Sequence, residues 1–222
     1  RAIVAQINPC LPAVNGTAHD YHVSELAAVV EHAEPLAPVA PAACAPEELR
    51  IAEHIVDRVR DGACIQLGIG GLANAVGQGL RSKRHLGVHS EMFPDVMAEL
   101  QREGVIDNSR KTHLPGVSVA GFAVGTPQLH AFIERNPAVL FTPYERVNDF
   151  DAIRANDDMV SVNSAIAVDL TGQVCAESFG SRQYSGTGGQ VDYVRGAAAS
   201  KGGMSFVALT SRARTSAGPV SK

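Results

Sequence analysis

Short apolar runs and stretches with helical spacing follow one another along the chain. Residues 63–67 (Ala-Cys-Ile-Gln-Leu) form a short, mostly apolar run that is typical of a buried strand. Before this run, apolar residues spaced three and four apart predict a helix over 47–60, which the pair Asp61-Gly62 ends. After it come glycines and then a second predicted helix, over 72–80. The hydrophobic pattern therefore predicts a buried strand flanked by two helices.

The order of strand followed by helix recurs further along the chain. Strands are predicted at 86–89, 117–123, 139–141 and 205–209, and helices at 94–102, 127–134 and 191–200. Alternating strands and helices are typical of the α/β class. We predict an open, mostly parallel sheet with helices on both faces. Between Met159 and Ala176, two β-rich runs around Thr171-Gly172 predict a hairpin inserted in that sheet.

A proline-rich segment, residues 34–46, separates the amino-terminal residues from the repeated pattern. It carries four prolines in thirteen positions, and proline lacks an amide donor and resists both helix and inner strand. We predict an extended linker there, with a domain boundary between residues 1–33 and 47–222. A strand-like run begins at Ile3, and loop-like residues follow the predicted strand at 205–209. We therefore expect the chain to be part of a longer polypeptide.

Composition narrows the class of protein. Apolar residues make up 45% of the chain and charged residues 19%, which is typical of a protein with a real core. The net charge of −4 argues against a nucleic-acid partner. The first residues do not read as a secretory signal, so we expect none, and no run reaches the ~18 apolar residues of a membrane span. The four cysteines are scattered without a CxxC pair, so we expect reduced thiols in a cytoplasmic protein and no zinc site.

A glycine-rich turn, residues 66–71 (Gln-Leu-Gly-Ile-Gly-Gly), lies between a predicted strand and a predicted helix. Glycines there let backbone amides approach a ligand, and a helix N-terminus favours an anion or a developing oxyanion. The dinucleotide-binding pattern GxGxxG is not met, because position 73 is Ala and no acidic residue stands in the expected place after a second strand. The turn either binds an anion or only packs the helix on the strand.

Glu91 lies in the segment 89–95 (His-Ser-Glu-Met-Phe-Pro-Asp), just after a predicted strand and before a helix. Ligand sites of open α/β sheets lie at the carboxyl ends of strands, so this carboxylate is a candidate nucleophile, base or helix cap. His85 and His89 are four residues apart, but they flank a strand and do not indicate a metal site. We expect His89 to be a hydrogen-bonded structural histidine.

A second glycine-rich loop, residues 185–189 (Ser-Gly-Thr-Gly-Gly), precedes the helix predicted at 191–200. It predicts a second anion or oxyanion site, or else a flexible surface turn. Arg182, Arg195 and Lys201 add positive charge nearby, although such residues are usually solvated. Two such loops and a carboxylate suggest acyl transfer, with a nucleophile and amide donors for a tetrahedral intermediate. A serine hydrolase is not indicated, because no GxSxG motif occurs.

Six blocks of the chain, in order, carry a family resemblance. The blocks are residues 66–70, 87–95, 147–149, 161–166, 169–174 and 185–197. They resemble the acetyl-CoA hydrolase/transferase family, most closely its 4-hydroxybutyrate and butyrate–acetate CoA-transferases. Residues 3–8 and 22–25 are similar to the end of the family's first domain. The resemblance implies that residues 1–33 are a remnant of that domain, 34–46 a linker, and 47–222 a truncated C-terminal catalytic domain.

The resemblance also implies a reaction and a role for particular residues. Glu91 matches the catalytic glutamate, which attacks an acyl-CoA thioester to give an acyl-glutamyl anhydride and then a glutamyl-CoA thioester. The backbone amides of Gly70 and Gly189 match the positions that bind the oxyanion. Asn148 matches a carboxylate-site asparagine of more distant members. The implied CoA contacts are Gln66, Leu67, Gly68, Ile69, Gly70, Ile166, Gly188, Gly189 and Lys201.

The implied partners are an acyl-CoA and a small carboxylate such as acetate, with CoA as a substrate and no metal. No nucleic acid or membrane is expected, and a homodimer is an expected assembly. Two alternatives stay open, an acyl-CoA hydrolase on the same scaffold and a CoA-binding fragment without activity. Family members have their active site between two domains, so we expect little or no activity from the 222-residue chain alone.

Overall fold

The structure, a computed structural model, describes residues 2–18, 20–215 and 218–221. Its strands are β1 (Ile3–Ile7), β2 (Leu26–Glu31), β3 (Cys64–Leu67), β4 (Gly87–Phe93), β5 (Ser118–Ala123), β6 (Val139–Phe141), β7 (Met159–Ser164), β8 (Ala167–Val168), β9 (Val174–Cys175), β10 (Ser178–Phe179), β11 (Arg182–Gln183), β12 (Met204–Ala208), β13 (Arg212–Thr215) and β14 (Gly218–Ser221). Its α-helices are α1 (Pro46–Val56), α2 (Gly71–Gly79), α3 (Asp95–Arg102), α4 (Pro127–Ile133), α5 (Tyr144–Val147), α6 (Phe150–Arg154) and α7 (Gln190–Ala199).

A six-stranded sheet in the order β12-β7-β3-β4-β5-β6 forms the centre of the fold, and every neighbouring pair in it is parallel. Side chains alternate between the two faces of a strand, so Cys64 and Ile65 point to opposite faces. Ile65 joins the larger core, with residues of α1 to α4, whereas Cys64 joins a smaller core with Ile153 of α6 and Tyr193 of α7. The predicted parallel sheet with helices on both faces is confirmed.

Several predicted elements differ from the structure. The helix predicted over 47–60 ends at Val56. The strand predicted at 86–89 continues to Phe93, because Met92 and Phe93 still pair with β5, so Glu91 lies within β4 and not after it. The hairpin predicted as part of the sheet is a separate two-stranded antiparallel unit, β8 with β9. Strand β7 instead pairs in parallel with β3 and β12, which leaves the hairpin outside the central sheet.

The proline-rich segment is extended and is held against the body of the molecule. Residues 32–45 form neither helix nor strand. The amide of Val39 donates to the Gly125 carbonyl (3.0 Å), and the Asn74 side chain donates to the Ala42 carbonyl (2.9 Å). This segment therefore crosses the N-terminal end of α2. Within the described residues, no helix has both the length and the apolar character to cross a lipid bilayer.

Candidate active site

Glu91 presents its carboxylate near the carboxyl end of β4. The side chain is half-buried, and its Oε2 accepts a hydrogen bond from Nδ2 of Asn148 (2.8 Å). Asn148 directly follows α5, on the far side of β5 and β6 in sequence. The structure thus brings together two predicted site residues that are 57 positions apart.

Gly189 closes over this pair from the N-terminus of α7. It is buried, and a Cβ at this position would overlap Oε2 of Glu91 and lie 2.6 Å from Nδ2 of Asn148. Its φ is −90°, so the backbone itself does not demand glycine and the requirement is for space. The first N–H groups of a helix lack acceptors within the helix and carry its positive dipole end. The beginning of α7 is therefore suited to a carboxylate or an oxyanion.

Gly70 lies at the N-terminus of α2, in a loop that follows β3. Its φ of 99° and ψ of −177° fall in a region that is essentially restricted to glycine. Residues 68–70 line an apolar cavity of about 280 Å³ together with Met92, the neighbour of Glu91 in sequence. Strands β3 and β4 are adjacent and parallel, so both carboxyl ends open to the same edge of the sheet.

In the block 66–70, the side chains of the first two residues, Gln66 and Leu67, are used in internal contacts. Gln66 and Asn163 exchange two side-chain amide hydrogen bonds (3.3 and 3.2 Å), and both residues are buried. Leu67 is part of the larger core. Ile69, in contrast, is 71% exposed. Of the predicted CoA contacts in the block, residues 68–70 are the ones with surface facing solvent or the cavity.

The remaining predicted CoA contacts occupy different places. Ile166 follows the carboxyl end of β7 and donates its amide to the Cys175 carbonyl (2.8 Å). Gly188 is exposed beside Gly189, with a φ of 58°. Lys201 precedes β12, at the amino-terminal edge of the sheet, and its Nζ pairs with Asp157 (3.0 Å). The structure therefore does not bring Lys201 to Glu91, and its contact with CoA stays a prediction.

Two buried residues beneath the site received no functional role in the sequence analysis. Nε2 of His89 and the hydroxyl of Tyr193 both donate to the carbonyl of Val147, at 2.8 and 3.1 Å. The expected hydrogen-bonded structural His89 is present. One sequence signal pointed to Tyr193, because it follows Gly189 by four residues, which is one turn of α7.

Burial controls the protonation of these two side chains. It lowers the pKa of His89 to about 3, and the nearby positive charge of Lys111 adds to that effect. The pKa of Tyr193 is raised well above its ordinary value by burial and then by the charge of Glu91. His89 is therefore neutral and Tyr193 protonated near neutral pH. Among the residues described, no group of three or more His, Cys, Asp or Glu is arranged to hold a metal ion.

Comparisons of the sequence and of the structure with known proteins agree on one family. Residues 125–222 match the acetyl-CoA hydrolase/transferase C-terminal domain. The chain is 43% identical over 214 residues to a succinyl-CoA:cyclohexane-1-carboxylate CoA transferase of Geobacter metallireducens, covering 96% of this chain and 49% of that protein. It is 43% identical over 213 residues to a 4-hydroxybutyrate coenzyme A transferase of Clostridium kluyveri, with the same coverage.

A solved structure, RipA from Yersinia pestis, superposes with a TM-score of 0.89 at 39% identity, covering 100% of this chain and 49% of that one. The chain spans about half the length of the curated relatives it matches. The chain belongs to the acetyl-CoA hydrolase/transferase family.

Proposed function

We propose that the protein transfers CoA between a short-chain acyl-CoA, such as 4-hydroxybutyryl-, butyryl- or acetyl-CoA, and a carboxylate such as acetate. The observation that carries the proposal is the carboxylate of Glu91, bound by Asn148 and facing the N-terminus of α7 at Gly189. The relatives named as CoA transferases support the same class of reaction. Free thiols at all four cysteines suit a cytoplasmic protein.

In the first half-reaction, a carboxylate oxygen of Glu91 attacks the thioester carbonyl carbon. The tetrahedral adduct collapses with loss of CoA thiolate and leaves an acyl-glutamyl anhydride. The thiolate then attacks the glutamyl carbonyl carbon, the product carboxylate leaves, and a glutamyl-CoA thioester remains. An acceptor carboxylate reverses both steps and leaves as its CoA thioester, which gives ping-pong kinetics.

The amides near Gly189 and Gly70 stabilise the negative charge that develops in each adduct. A single well-placed oxyanion donor contributes roughly 3 kcal/mol to such a step. The donor from Asn148 to Oε2 orients the Glu91 carboxylate, so that its other oxygen is directed at the substrate. Exclusion of water from the anhydride and the thioester favours transfer over hydrolysis.

The decisive experiment traps the covalent intermediate. The full-length protein that contains this chain is incubated with butyryl-CoA, reduced with borohydride, digested and analysed by mass spectrometry. We expect the peptide containing Glu91 to carry the reduced side chain, and the Glu91→Gln variant to show neither modification nor turnover. Robust turnover alongside an unmodified Glu91 peptide contradicts the proposal.

The same preparation separates the alternative functions. Release of free CoA is followed with and without acetate. A transferase releases little free CoA and forms acetyl-CoA when acetate is added. A rate of CoA release that does not respond to acetate identifies a hydrolase on the same scaffold. Binding of CoA without turnover identifies a CoA-binding module.

A further inference from the structure

We infer that Tyr193 and His89 are positioning residues, whose shared hydrogen bonds to the Val147 carbonyl hold Asn148 against Glu91. The inference rests on the proposed role of Glu91 as nucleophile. It assigns a function to a buried polar cluster (His89, Val147 and Tyr193) that, among the described residues, makes no hydrogen bond to the Glu91 carboxylate.

The Val147 carbonyl is saturated by two donors from different elements. His89 donates from β4 at 2.8 Å and Tyr193 donates from α7 at 3.1 Å. Each of these two side chains is 1% exposed, and Val147 is fully buried. A carbonyl oxygen has two lone pairs, so both acceptor positions are used. Because unpaired polar groups are costly in such a place, the geometry around this oxygen is strongly fixed.

The position of this carbonyl matters because Asn148 is the next residue. Helix α5 spans only Tyr144–Val147. The last carbonyls of a helix have no N–H donor within the helix. The two outside donors therefore fix the end of α5 where its own hydrogen bonds do not. One peptide bond further, the side chain of Asn148 donates to Glu91.

The same two elements carry both the site and its support. Strand β4 presents His89 and Glu91 two residues apart, on the same face. Helix α7 presents Gly189 at its start and Tyr193 one turn later, buried beneath it. Both elements contact α5 through the Val147 carbonyl. Glu91, Asn148 and Gly189 are thus fixed relative to one another by a closed loop of contacts.

Both donors keep their protons near neutral pH. The carbonyl can only accept, so Nε2 of His89 carries the proton and Nδ1 does not. That Nδ1 has no hydrogen-bond partner within the described residues. Burial keeps the imidazole neutral by lowering its pKa, and it keeps Tyr193 protonated by raising the phenol pKa. Protonation of His89 is therefore not needed for this role.

The first test removes the hydroxyl of Tyr193 alone, by Tyr193→Phe in the full-length protein. We expect kcat for acyl transfer to fall about tenfold, because a small displacement of a reacting group is costly, and KM for butyryl-CoA to stay within about twofold of wild type. Tyr21→Phe is the matched control, because Tyr21 is 60% exposed and far from Glu91 in the chain. It is expected to leave both constants unchanged.

A double-mutant cycle distinguishes positioning from general stabilisation. In an Asn148→Ala background, Tyr193→Phe is expected to have no further effect on kcat, because the hydrogen bond from Asn148 to Glu91, through which Tyr193 acts, is already absent. A merely structural tyrosine lowers kcat by the same factor in both backgrounds. At position 89, His89→Gln retains an N–H donor and is expected to preserve most of kcat, whereas His89→Phe is not.

Trapping of the Glu91 adduct keeps this inference separate from the proposed function. If wild-type protein turns over without a Glu91 adduct, the proposed function fails. If wild type forms the adduct and Tyr193→Phe forms it at the same rate, the positioning role is overturned. Multiplicative losses in the double variant overturn it as well. Slower adduct formation in Tyr193→Phe, absent from the Asn148→Ala background, supports it.

Discussion

The two glycine-rich loops look alike in sequence, yet their glycines are required for different reasons. Gly70 begins α2 with a φ of 99°, and a Cβ there would meet nothing within 4 Å. Gly189 begins α7 with a φ of −90°, and a Cβ there would overlap the Glu91 carboxylate. One position needs backbone freedom and the other needs the absence of a side chain. A glycine before a helix therefore does not by itself reveal which part of a site it serves.

The loops also differ in what lies beneath them. The N-terminal half of α2 packs into the larger core through its own apolar side chains, such as Leu72 and Val76. The N-terminal end of α7 lies over Tyr193 and His89, which share a buried carbonyl. The proline-rich segment covers the first loop through Asn74. Four features can therefore be tested separately. They are the backbone strain at Gly70, the lack of space at Gly189, the buried hydrogen bonds of His89 and Tyr193, and the contact of the proline-rich segment with α2.

The largest effect is expected from Gly189→Ala. The added methyl group overlaps Oε2 of Glu91 and crowds Nδ2 of Asn148, so the nucleophile is displaced. We expect kcat to fall by about a hundredfold or more. Gly186→Ala is the matched control, because a Cβ there has open space and its φ is not positive. Near-normal kcat in Gly189→Ala contradicts the close approach.

Gly70→Ala is expected to act mainly through the backbone. Holding alanine at a φ of 99° costs about 2 kcal/mol of stability, with no steric overlap to relieve. Urea unfolding measures this loss, and kcat reports whether the amide moves. Gly104→Ala provides the comparison, because Gly104 also has a positive φ (75°) and open space, but it ends α3. It should lose stability and retain kcat.

As the pH falls, we expect the region around His89, α5 and α7 to lose stability before the region around α2. The folded pKa of His89 is about 3 and its ordinary value is 6.5, so the unfolded chain binds the proton first as pH falls. The stability that depends on neutral His89 is complete above pH 6.5 and is lost toward pH 3. The slope approaches about 1.4 kcal/mol per pH unit below pH 5.5.

Comparison with His89→Gln, which keeps a donor and does not titrate, isolates this contribution. The pH dependence of its unfolding free energy is expected to be flatter than that of wild type. Hydrogen exchange should show α5 and α7 losing protection at a higher pH than α2. Identical pH profiles for the two proteins would remove His89 from the explanation.

The smallest effect is expected from Asn74→Ala, which removes the hydrogen bond to the Ala42 carbonyl. Such a bond contributes about 1 kcal/mol. Limited proteolysis should cut residues 34–46 faster in this variant, while the Glu91 adduct forms at the normal rate. Gln78→Ala is a control on the exposed side of the same helix. Equal cleavage in both variants would show that Asn74 does not hold the segment.

Periodicity alone recovered most of the central sheet, because buried parallel strands and their helices have strong local patterns. It missed the end of β4, since the pairing of Phe93 with Ala123 depends on a strand thirty residues away. It also placed the β8–β9 hairpin in the sheet, because a β-rich run does not reveal its partner. Local pattern already indicated Glu91 and the loop that contains Gly189, and the family resemblance added Asn148 and the roles of all three.

The supporting contacts could not be obtained in that way. The hydrogen bonds of His89 and Tyr193 converge on a backbone carbonyl, and a carbonyl leaves no trace in the identity of its residue. The separation of Lys201 from Glu91 likewise follows from strand direction, which places the residue before β12 at the opposite edge of the sheet. Sequence order puts Lys201 close to Gly189, but α7 runs between them.

The amide pair of Gln66 and Asn163 has a consequence for how β3 and β7 align. Sliding one strand by a single position would turn Gln66 toward the apolar face and leave both amides without partners. The pair therefore acts as a register lock between neighbouring strands. Residues 68–70 directly follow β3, so the register of β3 against β7 also determines where the first glycine-rich loop begins relative to the edge of the sheet.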